Sequence, residues 1–384
     1  MKVLHINNGY CDSKVHVNLT KELDNIGLEQ IVYCPVRNID HIDKNRFEGQ
    51  NTEFVYSLCI KPWYRYVYHY KQWRLYTDLK SKIDLSQVRY IHAHTLFSDG
   101  GLAYRAFKEF GIKYSVAIRN TDVNEYIRLL RHTYSIGRKI LLNADRIIFI
   151  SSGIKKNFEQ TSFIRPILNA VKDKFIVIPN GIDWFWHKHI DRNPRTGYNI
   201  LYVGDFSANK NVVRLSQAVI ALREETAFKN LRLFIVGGEV VGGNRKNDGK
   251  TQHIIDLHPE AITALGKIYD KERLLEVMRS CSMFAMTSIF ETFGLVYIEA
   301  LSQNLPVIYS KGQGIDGMFD SSVGIGVNAL SVEETKNAIK EILSHHEHYN
   351  NGAVVFKKFQ WDTIAQKYLA IYGITKKDDT EREI

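Results

Sequence analysis

The chain has 384 residues, of which 45% are hydrophobic and 24% charged, and its formal net charge is +9. This composition is that of a folded globular protein and excludes a disordered or fibrous chain, while the length predicts two domains. No run approaches the roughly 20 apolar residues that span a bilayer, and the first residues lack the apolar region of a secretory signal. We therefore expect a cytoplasmic protein.

The positive charge is confined to the first half. Residues 1–190 contain 28 Lys and Arg against 18 Asp and Glu, whereas residues 191–384 contain 23 against 24. Such asymmetry predicts that the first half meets an anionic partner, which can be a nucleic acid, a phospholipid headgroup or a phosphorylated substrate. Four scattered cysteines without CxxC spacing indicate reduced thiols and neither a disulfide framework nor a zinc cluster.

Short β-branched runs alternate with amphipathic stretches along the whole chain. This alternation predicts α/β domains with doubly wound parallel sheets. The expected strands of the first half are 2–7, 29–35, 88–94, 113–119, 146–151 and 175–180. Those of the second half are 199–205, 231–237, 261–267, 283–288 and 306–311.

The two series of strands are separated by "PNGIDWFWHKHIDRNPRTGYN", where glycine, proline and charged residues interrupt the periodicity. We therefore predict two Rossmann-like domains, 1–185 and 186–357, with a cleft between them. Residues 358–384 form a final helix, predicted to cross back to the first domain, and a charged tail. Ligands of such sheets bind at the carboxyl ends of the strands.

The stretch "FETFGLVYIEA", residues 290–300, contains two acids around an apolar run. Glu291 follows a predicted strand, Gly294 precedes a predicted helix, and Glu299 lies about one turn inside that helix. The first amides of a helix are unpaired donors at the positive end of its dipole. Two carboxylates beside them suit a ligand with both hydroxyls and phosphate, although a solvated Glu291 and an ion-paired Glu299 are an equal alternative on spacing alone.

A lysine follows the first strand of the second half. In "YVGDFSANKN", residues 202–211, Lys210 stands just before a predicted helix. From that position it can reach a phosphate at a helix N-terminus and neutralise it without a metal ion. A solvated lysine is the alternative.

Two glycine-rich segments are weaker signals. "GQGIDG" (312–317) follows a strand but leaves no room for the crossover helix of a dinucleotide-binding unit. "GNRKNDGKT" (243–251) departs from the spacing of a phosphate-binding loop, and we expect a flexible surface loop there.

Taken together, these motifs resemble the retaining glycosyltransferases of family 4 (glycosyl transferases group 1). "ETFGLVYIEA" is similar to the E-x7-E signature of that family, and "ADRIIFISSGIKKNF", "IPNGID" and "LPVIYSKGQGIDG" occur in the family's order. The resemblance covers nearly the whole chain and implies the GT-B architecture. It also implies that 1–185 binds the acceptor and 186–357 the nucleotide-sugar donor.

The resemblance implies a role for each matching residue. Glu291 contacts the donor sugar, the backbone of Phe293, Gly294 and Leu295 contacts sugar and diphosphate, and Glu299 holds the ribose. Lys210 neutralises the diphosphate, and Lys267 and Ile268 lie against the base. The donor is expected to be of UDP or GDP type, with no other cofactor and no metal. The catalytic residues are expected to be Glu291, Lys210, Arg119 and Asp122.

Three positions depart from the family pattern. Asp205 follows Gly204 where the family usually has an arginine, so one cationic ligand of the diphosphate is missing. "RNTD", Arg119 to Asp122, places an arginine where a histidine is frequent, and this arginine can substitute for the missing cation. The loop after the first strand, "NNGYCD", keeps only Gly9 of a double glycine that contacts the donor.

Residues 61–76, "KPWYRYVYHYKQWRLY", combine aromatic and basic side chains without an acid. This pattern suits single-stranded nucleic acid or the interface of an anionic membrane. In a family with many lipid-linked acceptors, peripheral contact with the inner face of the membrane is favoured and nucleic acid is not expected. A partly buried helix is the alternative. His92 and His94 share one face of a strand end, but the sequence shows no third metal ligand.

The resemblance therefore implies a hexosyltransferase that moves a sugar to a hydroxyl acceptor, the glycan or lipid-linked precursor of a surface polysaccharide or glycolipid. Two alternatives remain open. One is a nucleotide-sugar epimerase of the same fold, and the other is a non-catalytic protein that binds sugar nucleotides.

Overall fold

The computed structural model describes residues 2–240, 247–349, 352 and 356–374, without the side chains of Arg65, Tyr66 and Lys357. Part of segment 243–251 and the charged tail from 375 onwards lie outside the described residues. By its contacts the chain divides into two units. Unit 1 comprises Met1–Ile150, Asn157–Gly181 and Trp361–Ile384, and unit 2 comprises Ser151–Lys156 and Ile182–Gln360. The predicted boundaries after 185 and 357 fall four and three residues from these divisions.

Unit 1 contains one parallel sheet of seven strands in the order β3-β2-β1-β4-β5-β6-β7. The strands are β1 (Lys2–Ile6), β2 (Gln30–Val36), β3 (Thr52–Leu58), β4 (Val88–Ala93), β5 (Lys113–Ile118), β6 (Arg146–Phe149) and β7 (Phe175–Val177). The helices are α1 (Lys14–Asn25), α2 (Tyr68–Lys82), α3 (Gly100–Phe110), α4 (Tyr134–Asn143), α5 (Ser152–Glu159), α6 (Leu168–Val171) and α13 (Trp361–Ile371). The first residues of α5 group with unit 2.

One strand of this sheet was missing from the prediction. β3 (Thr52–Leu58) pairs with β2 on one side only and is therefore an edge strand. Of its residues only Ser57 is buried, so it lacks the continuous apolar run that marks β2. An exposed edge strand carries a weaker hydrophobic signal than a central one because neither face is fully covered.

The last helix packs on unit 1. Ile364, Tyr368 and Leu369 of α13 share a buried cluster with Leu19 and Leu23 of α1. Trp361 lies so close to Gly181 that a Cβ there would be 2.5 Å from its ring. The final helix is thus part of the core of this unit.

Unit 2 contains a second parallel sheet, of six strands in the order β10-β9-β8-β11-β12-β13. The strands are β8 (Asn199–Asp205), β9 (Arg232–Gly238), β10 (Ile262–Gly266), β11 (Met283–Ala285), β12 (Val307–Ser310) and β13 (Gly324–Val327). The helices are α7 (Trp184–Lys188), α8 (Val212–Arg223), α9 (Gly249–Leu257), α10 (Lys271–Arg279), α11 (Leu295–Ser302) and α12 (Val332–Ser344). Two doubly wound α/β units confirm the predicted fold class.

Each sheet has a point at which the strand order reverses. In unit 1 it lies between β1 and β4, and in unit 2 between β8 and β11. At such a point the neighbouring crossovers leave on opposite faces, which opens a crevice at the carboxyl ends of the strands. Within the described part of the chain, no helix combines the length and apolar character needed to cross a membrane.

Candidate functional site

An ion pair lies at the point where the strand order of the second sheet reverses. Lys210 ends a short 3₁₀ turn after β8, and Glu291 lies in the loop that follows β11. Lys210 Nζ is 2.7 Å from Glu291 Oε2, and both side chains are mostly buried. Two residues 81 positions apart are therefore brought together at the crevice where ligands of this sheet type bind.

The loop of Glu291 is held by a second loop. The Glu291 amide donates to Gln313 Oε1 at 3.2 Å, and the Gly314 amide donates to the Glu291 carbonyl at 2.9 Å. Gly314 has φ +52°, and a Cβ there would be 3.0 Å from the Phe293 carbonyl oxygen and 3.1 Å from Glu291 Cγ. Within the segment 312–317, Gly314 thus supplies the backbone contact to the Glu291 loop, and no crossover helix separates this segment from β13.

Helix α11 begins beside the ion pair. Gly294 precedes it with φ +76°, and a Cβ at this position would be 2.5 Å from Tyr297 Cδ2. No side chain caps the helix, so the amides of Leu295 and its successor have no side-chain acceptor at the cap. Phe293 is buried. A lysine, a carboxylate and an uncapped helix N-terminus thus lie within one loop cluster.

Glu299 lies further along α11 and is surrounded by residues of α7 and α10. Desolvation by burial and, to a smaller extent, the charge of Asp183 raise its pKa to about 7, against the opposing effects of Lys271 and a hydrogen bond from Trp186. Asp183 itself is held by Lys271, whose Nζ is 2.6 Å from Asp183 Oδ2. Glu299 is therefore an acid whose charge changes near neutral pH, and it lies on the same helix as the first loop cluster.

The carboxyl edge of this sheet is rich in glycine. Gly237 has φ +149°, and a Cβ there would be 1.7 Å from the Gly204 carbonyl oxygen. A Cβ on Gly238 would lie 3.4 Å from Lys267 Cε, so the predicted base-contacting lysine runs along this edge. Ile268 follows it and is partly buried. Only glycine leaves the backbone open to a ligand here.

Asp205 is engaged within its own loop. Its Oδ1 accepts hydrogen bonds from the Ser207 amide at 3.0 Å and from the Ser207 hydroxyl. Its carbonyl accepts a hydrogen bond from the Tyr202 hydroxyl at 2.8 Å. The carboxylate that replaces the expected arginine therefore shapes the loop leading to Lys210.

In unit 1, Asp122 organises the carboxyl end of β5. Its carboxylate accepts hydrogen bonds from the amides of Leu96, Phe97 and Arg119 at 3.1, 3.1 and 2.9 Å. Burial raises its pKa to about 6, and these amides oppose the rise. Asp122 also begins a π-helical segment, Asp122–Ile127, a rare form found frequently at functional sites. Three backbone donors share this carboxylate, which favours a positioning role over contact with a substrate.

Arg119 is positioned by the same network. Its Nε donates to the His94 carbonyl at 3.2 Å, while burial lowers the pKa of the guanidinium. Gly9 lies in the loop after β1, where its amide donates to Asn7 Oδ1 at 3.1 Å. Gly9 and Arg119 thus belong to the carboxyl edge of the first sheet, whereas all the other predicted donor residues belong to unit 2.

A cluster of buried histidines lies below this edge. His5 pairs in register with His92, and one ligand atom each of His5, His92 and His94 lies within 4.8 Å of the others. His5 Nδ1 lies 3.2 Å from His94 Nε2, and the rings of His92 and His94 stack at 4.2 Å. Burial lowers the pKa of all three rings, and His16, which packs on His94, shares this shift. The sequence missed the third imidazole, His5, because only the pairing of β1 with β4 reveals it.

Other contacting residues were also absent from the sequence prediction. Gln313 and Gly314 clasp Glu291, and Asp183, Trp186 and Lys271 surround Glu299. The one available signal was the glycine-rich run 312–317 after a strand, which marked a loop but not its partner. The side-chain surroundings of Glu299 arise from helices distant in sequence.

Chemically, the loop cluster of unit 2 offers Lys210, helix amides without a side-chain cap and the Glu291 carboxylate, and Glu299 lies further along the same helix. The lysine and amides suit an anion such as a diphosphate, and the carboxylates suit hydroxyl donors. This combination fits a ligand that carries phosphates and sugar hydroxyls in one molecule.

Comparison with known families agrees with this chemistry. The model of the family Glycosyl transferases group 1 matches residues 187–366, and that of Glycosyltransferase Family 4 matches residues 13–184. An uncharacterized glycosyltransferase of Methanocaldococcus jannaschii is 24% identical over 300 residues, which cover 76% of this chain and 77% of the relative.

Solved structures show the same fold. The lipopolysaccharide outer core galactosyltransferase WaaB matches with a TM-score of 0.68 at 16% identity, over 97% of this chain and 99% of that one. The Anabaena protein HepE, solved in complex with UDP, matches with a TM-score of 0.66 at 15% identity, over 97% and 100%. With two family models that together span nearly all of its length, the chain belongs to the group 1, family 4 glycosyltransferases of GT-B fold.

Proposed function

We propose that this protein transfers a hexosyl residue from a nucleoside diphosphate sugar of UDP or GDP type to a hydroxyl acceptor, with retention of anomeric configuration and without a metal ion. Its acceptor is a glycan or a lipid-linked precursor in the assembly of a surface polysaccharide or glycolipid. Family membership supports glycosyl transfer, and the donor, the stereochemistry and the pathway are the proposed part.

The ion pair between Lys210 and Glu291 carries the proposal. Without a ligand, the lysine is neutralised by the carboxylate at 2.7 Å, beside an uncapped helix N-terminus. A diphosphate bound at those amides offers Lys210 a stronger partner, because a phosphate carries more charge than a carboxylate. Glu291 is then released to accept hydrogen bonds from the donor sugar. Donor binding thus exchanges an internal ion pair for two contacts with one ligand.

Two related structures support the choice of ligand and pathway. HepE has the same fold and was solved with UDP. WaaB, which also has this fold, is a galactosyltransferase of the lipopolysaccharide outer core. We extend these functions to this chain as part of the proposal.

The proposed reaction uses charge stabilisation. As the bond between sugar and diphosphate breaks, negative charge develops on the leaving diphosphate. Lys210 and the first amides of α11 stabilise that charge, and preorganised donors of this kind commonly supply the largest part of a rate enhancement. The acceptor hydroxyl attacks the sugar on the face that the diphosphate leaves. The leaving phosphate oxygen takes the proton of that hydroxyl. Glu299 accepts hydrogen bonds from the ribose hydroxyls.

The test is nucleotide release from a panel of UDP-, GDP- and ADP-sugars, with and without an acceptor extract. We expect release with one class of donor, and product analysis should show the α- or β-configuration of that donor retained in a glycoside. Nucleotide binding without release from any donor would identify a non-catalytic binder. Conversion to an isomeric nucleotide sugar would identify an epimerase. Either result would overturn the proposal.

A further inference from the structure

An exposed aromatic ridge runs along the outer side of α2 and the turn before it. The ridge comprises Trp63, Val67, Tyr70 and Trp73, whose exposed fractions are 46%, 39%, 44% and 50%. Neighbouring large apolar side chains with this much exposure are unusual for a soluble surface and mark an interaction site. None of the predicted donor-binding residues belongs to this ridge.

The aromatic rings of the ridge pack against one another. The rings of Trp63 and Tyr70 stack at 5.3 Å, and those of Tyr70 and Trp73 lie 5.8 Å apart. The edge of Trp63 meets Tyr64 at 4.7 Å, and Tyr64 is buried. The aromatic rings are therefore held in place before any partner binds, which lowers the entropic cost of an interaction.

Cations flank the ridge and acids are absent from it. Exposed Lys61 precedes it, and the guanidinium of Arg74 lies 5.8 Å from the Trp73 ring. No Asp or Glu occurs from residue 61 to residue 77. The next acid, Asp78, accepts a hydrogen bond from the Tyr33 hydroxyl at 2.7 Å. The charge of this surface is thus positive.

The groove between α2 and α3 is separate from the ridge, since no residue of the ridge lines it. It has a volume of about 440 Å³ and includes Tyr104, Arg105 and Lys108 in its lining. Its acid, Glu109, is bound to Lys80 at 2.8 Å and to the Tyr76 hydroxyl at 2.9 Å.

Exposed tryptophan and tyrosine rings with adjacent cations match the interface of an anionic bilayer. There the rings lie at headgroup level while Lys and Arg contact lipid phosphates. Single-stranded nucleic acid fits less well because it requires ring faces free for base stacking, and Trp63 and Tyr70 stack on each other. A symmetric dimer through this surface would bring together two copies of a segment that carries Lys61 and Arg74 and no acid, an unfavourable arrangement of like charges.

We propose that the ridge and its flanking cations dock unit 1 on a bilayer containing anionic lipids. The rings insert at headgroup level, and Lys61 and Arg74 contact phosphates. This docking does not depend on the donor chemistry of unit 2. A result that overturns the docking leaves the proposed reaction unaffected, and the reverse also holds.

The experiment is flotation of the full chain with vesicles of phosphatidylcholine alone and of phosphatidylcholine with phosphatidylglycerol. We expect binding to the anionic vesicles, weakening with salt, and little binding to the neutral ones. Arg74→Ala should lower partitioning about fivefold, since one cation near such a surface contributes about 1 kcal/mol. The double substitution W63A/W73A should lower it further, and brominated lipids should quench the fluorescence of the wild-type protein.

Trp184→Ala is the matched control, because Trp184 of unit 2 is 60% exposed and lies outside the ridge. It should float like the wild type. Equal flotation of W63A/W73A and wild type, both with unchanged circular dichroism, would overturn the proposal. So would failure to bind anionic vesicles. Binding of a single-stranded oligonucleotide or self-association that the same variants abolish, without vesicle binding, would assign the ridge to the other partner class.

Discussion

Lys210 Nζ and Glu291 Oε2 lie 2.7 Å apart across the reversal point of the second sheet. The two residues come from loops after β8 and β11, which are adjacent parallel strands. Both side chains are mostly buried, so neither charge is well screened by water when its partner is removed. The pair therefore stabilises the unliganded loop cluster and holds the two groups that the donor is proposed to separate.

A double-mutant cycle tests this coupling. Lys210→Met leaves the Glu291 carboxylate unpaired, and Glu291→Gln leaves the lysine unpaired, so each should destabilise unit 2. The double variant should recover part of the loss, with an interaction energy of about 1–3 kcal/mol. Urea unfolding of the four proteins measures it. Strictly additive losses would show that the pair contributes no coupling.

Glu299 gives a pH-dependent prediction. Desolvation raises its pKa from 4.5 to about 7 in the folded chain. The folded state therefore binds a proton between these values that the unfolded state has lost. The resulting stabilisation is complete below about pH 4.5 and disappears as pH rises through 7.

Glu299→Gln removes this dependence. The free energy of unfolding of the variant, relative to that of wild type, should therefore rise from pH 5 to pH 8. We expect a rise on the order of 1 kcal/mol, because partial exposure of Glu299 to water screens its charge. Thermal unfolding at both pH values measures the difference. A difference that is the same at pH 5 and pH 8 would show that Glu299 does not titrate in this range.

Gly294 is predicted to be irreplaceable at the start of α11. Alanine there meets both a positive φ of +76° and the Tyr297 ring 2.5 Å from its Cβ. Gly266→Ala is the control, since Gly266 has φ +70° but no atom within 4 Å. We expect about 1 kcal/mol of destabilisation in the control from backbone strain alone, and more in Gly294→Ala. Calorimetry compares them, and equal losses would contradict the steric argument.

Asp122 is predicted to stabilise the fold by accepting hydrogen bonds from backbone amides. Asp122→Ala leaves three amides without their acceptor and should cost about 3 kcal/mol or more of unfolding free energy. Asp122→Asn retains one carbonyl oxygen and should cost less. Chemical denaturation followed by near-ultraviolet circular dichroism gives the order. An alanine variant as stable as the asparagine variant would show that the amides find other partners.

The sequence was informative where hydrophobic runs are continuous. β2 is buried throughout and was predicted, whereas the half-exposed edge strand β3 was not. The proximity of Lys210 and Glu291 followed from a general rule, because both residues follow strands and the carboxyl ends of parallel strands share one edge. The rule does not give the pairing of their charges.

Contacts between segments that are distant along the chain could not be predicted from the sequence. Nothing local in "GQGIDG" indicates that Gln313 and Gly314 hold the backbone of Glu291. His92 and His94 were visible from their spacing, but His5 joins them only because β1 pairs with β4 in register. The aromatic segment 61–76 was recognised by composition, and only the structure separates its buried Tyr64 and Tyr68 from the exposed ridge.

The proposed roles of Glu291 and Lys210 are tested by nucleotide release from the donor that the panel identifies, measured for wild type, Glu291→Gln and Lys210→Met. We expect Glu291→Gln to retain nucleotide binding and to lose transfer by at least about a hundredfold, as for removal of a group that acts on the transition state. Lys210→Met should weaken nucleotide binding as well as transfer. Transfer at the wild-type rate by both variants would contradict the proposed site.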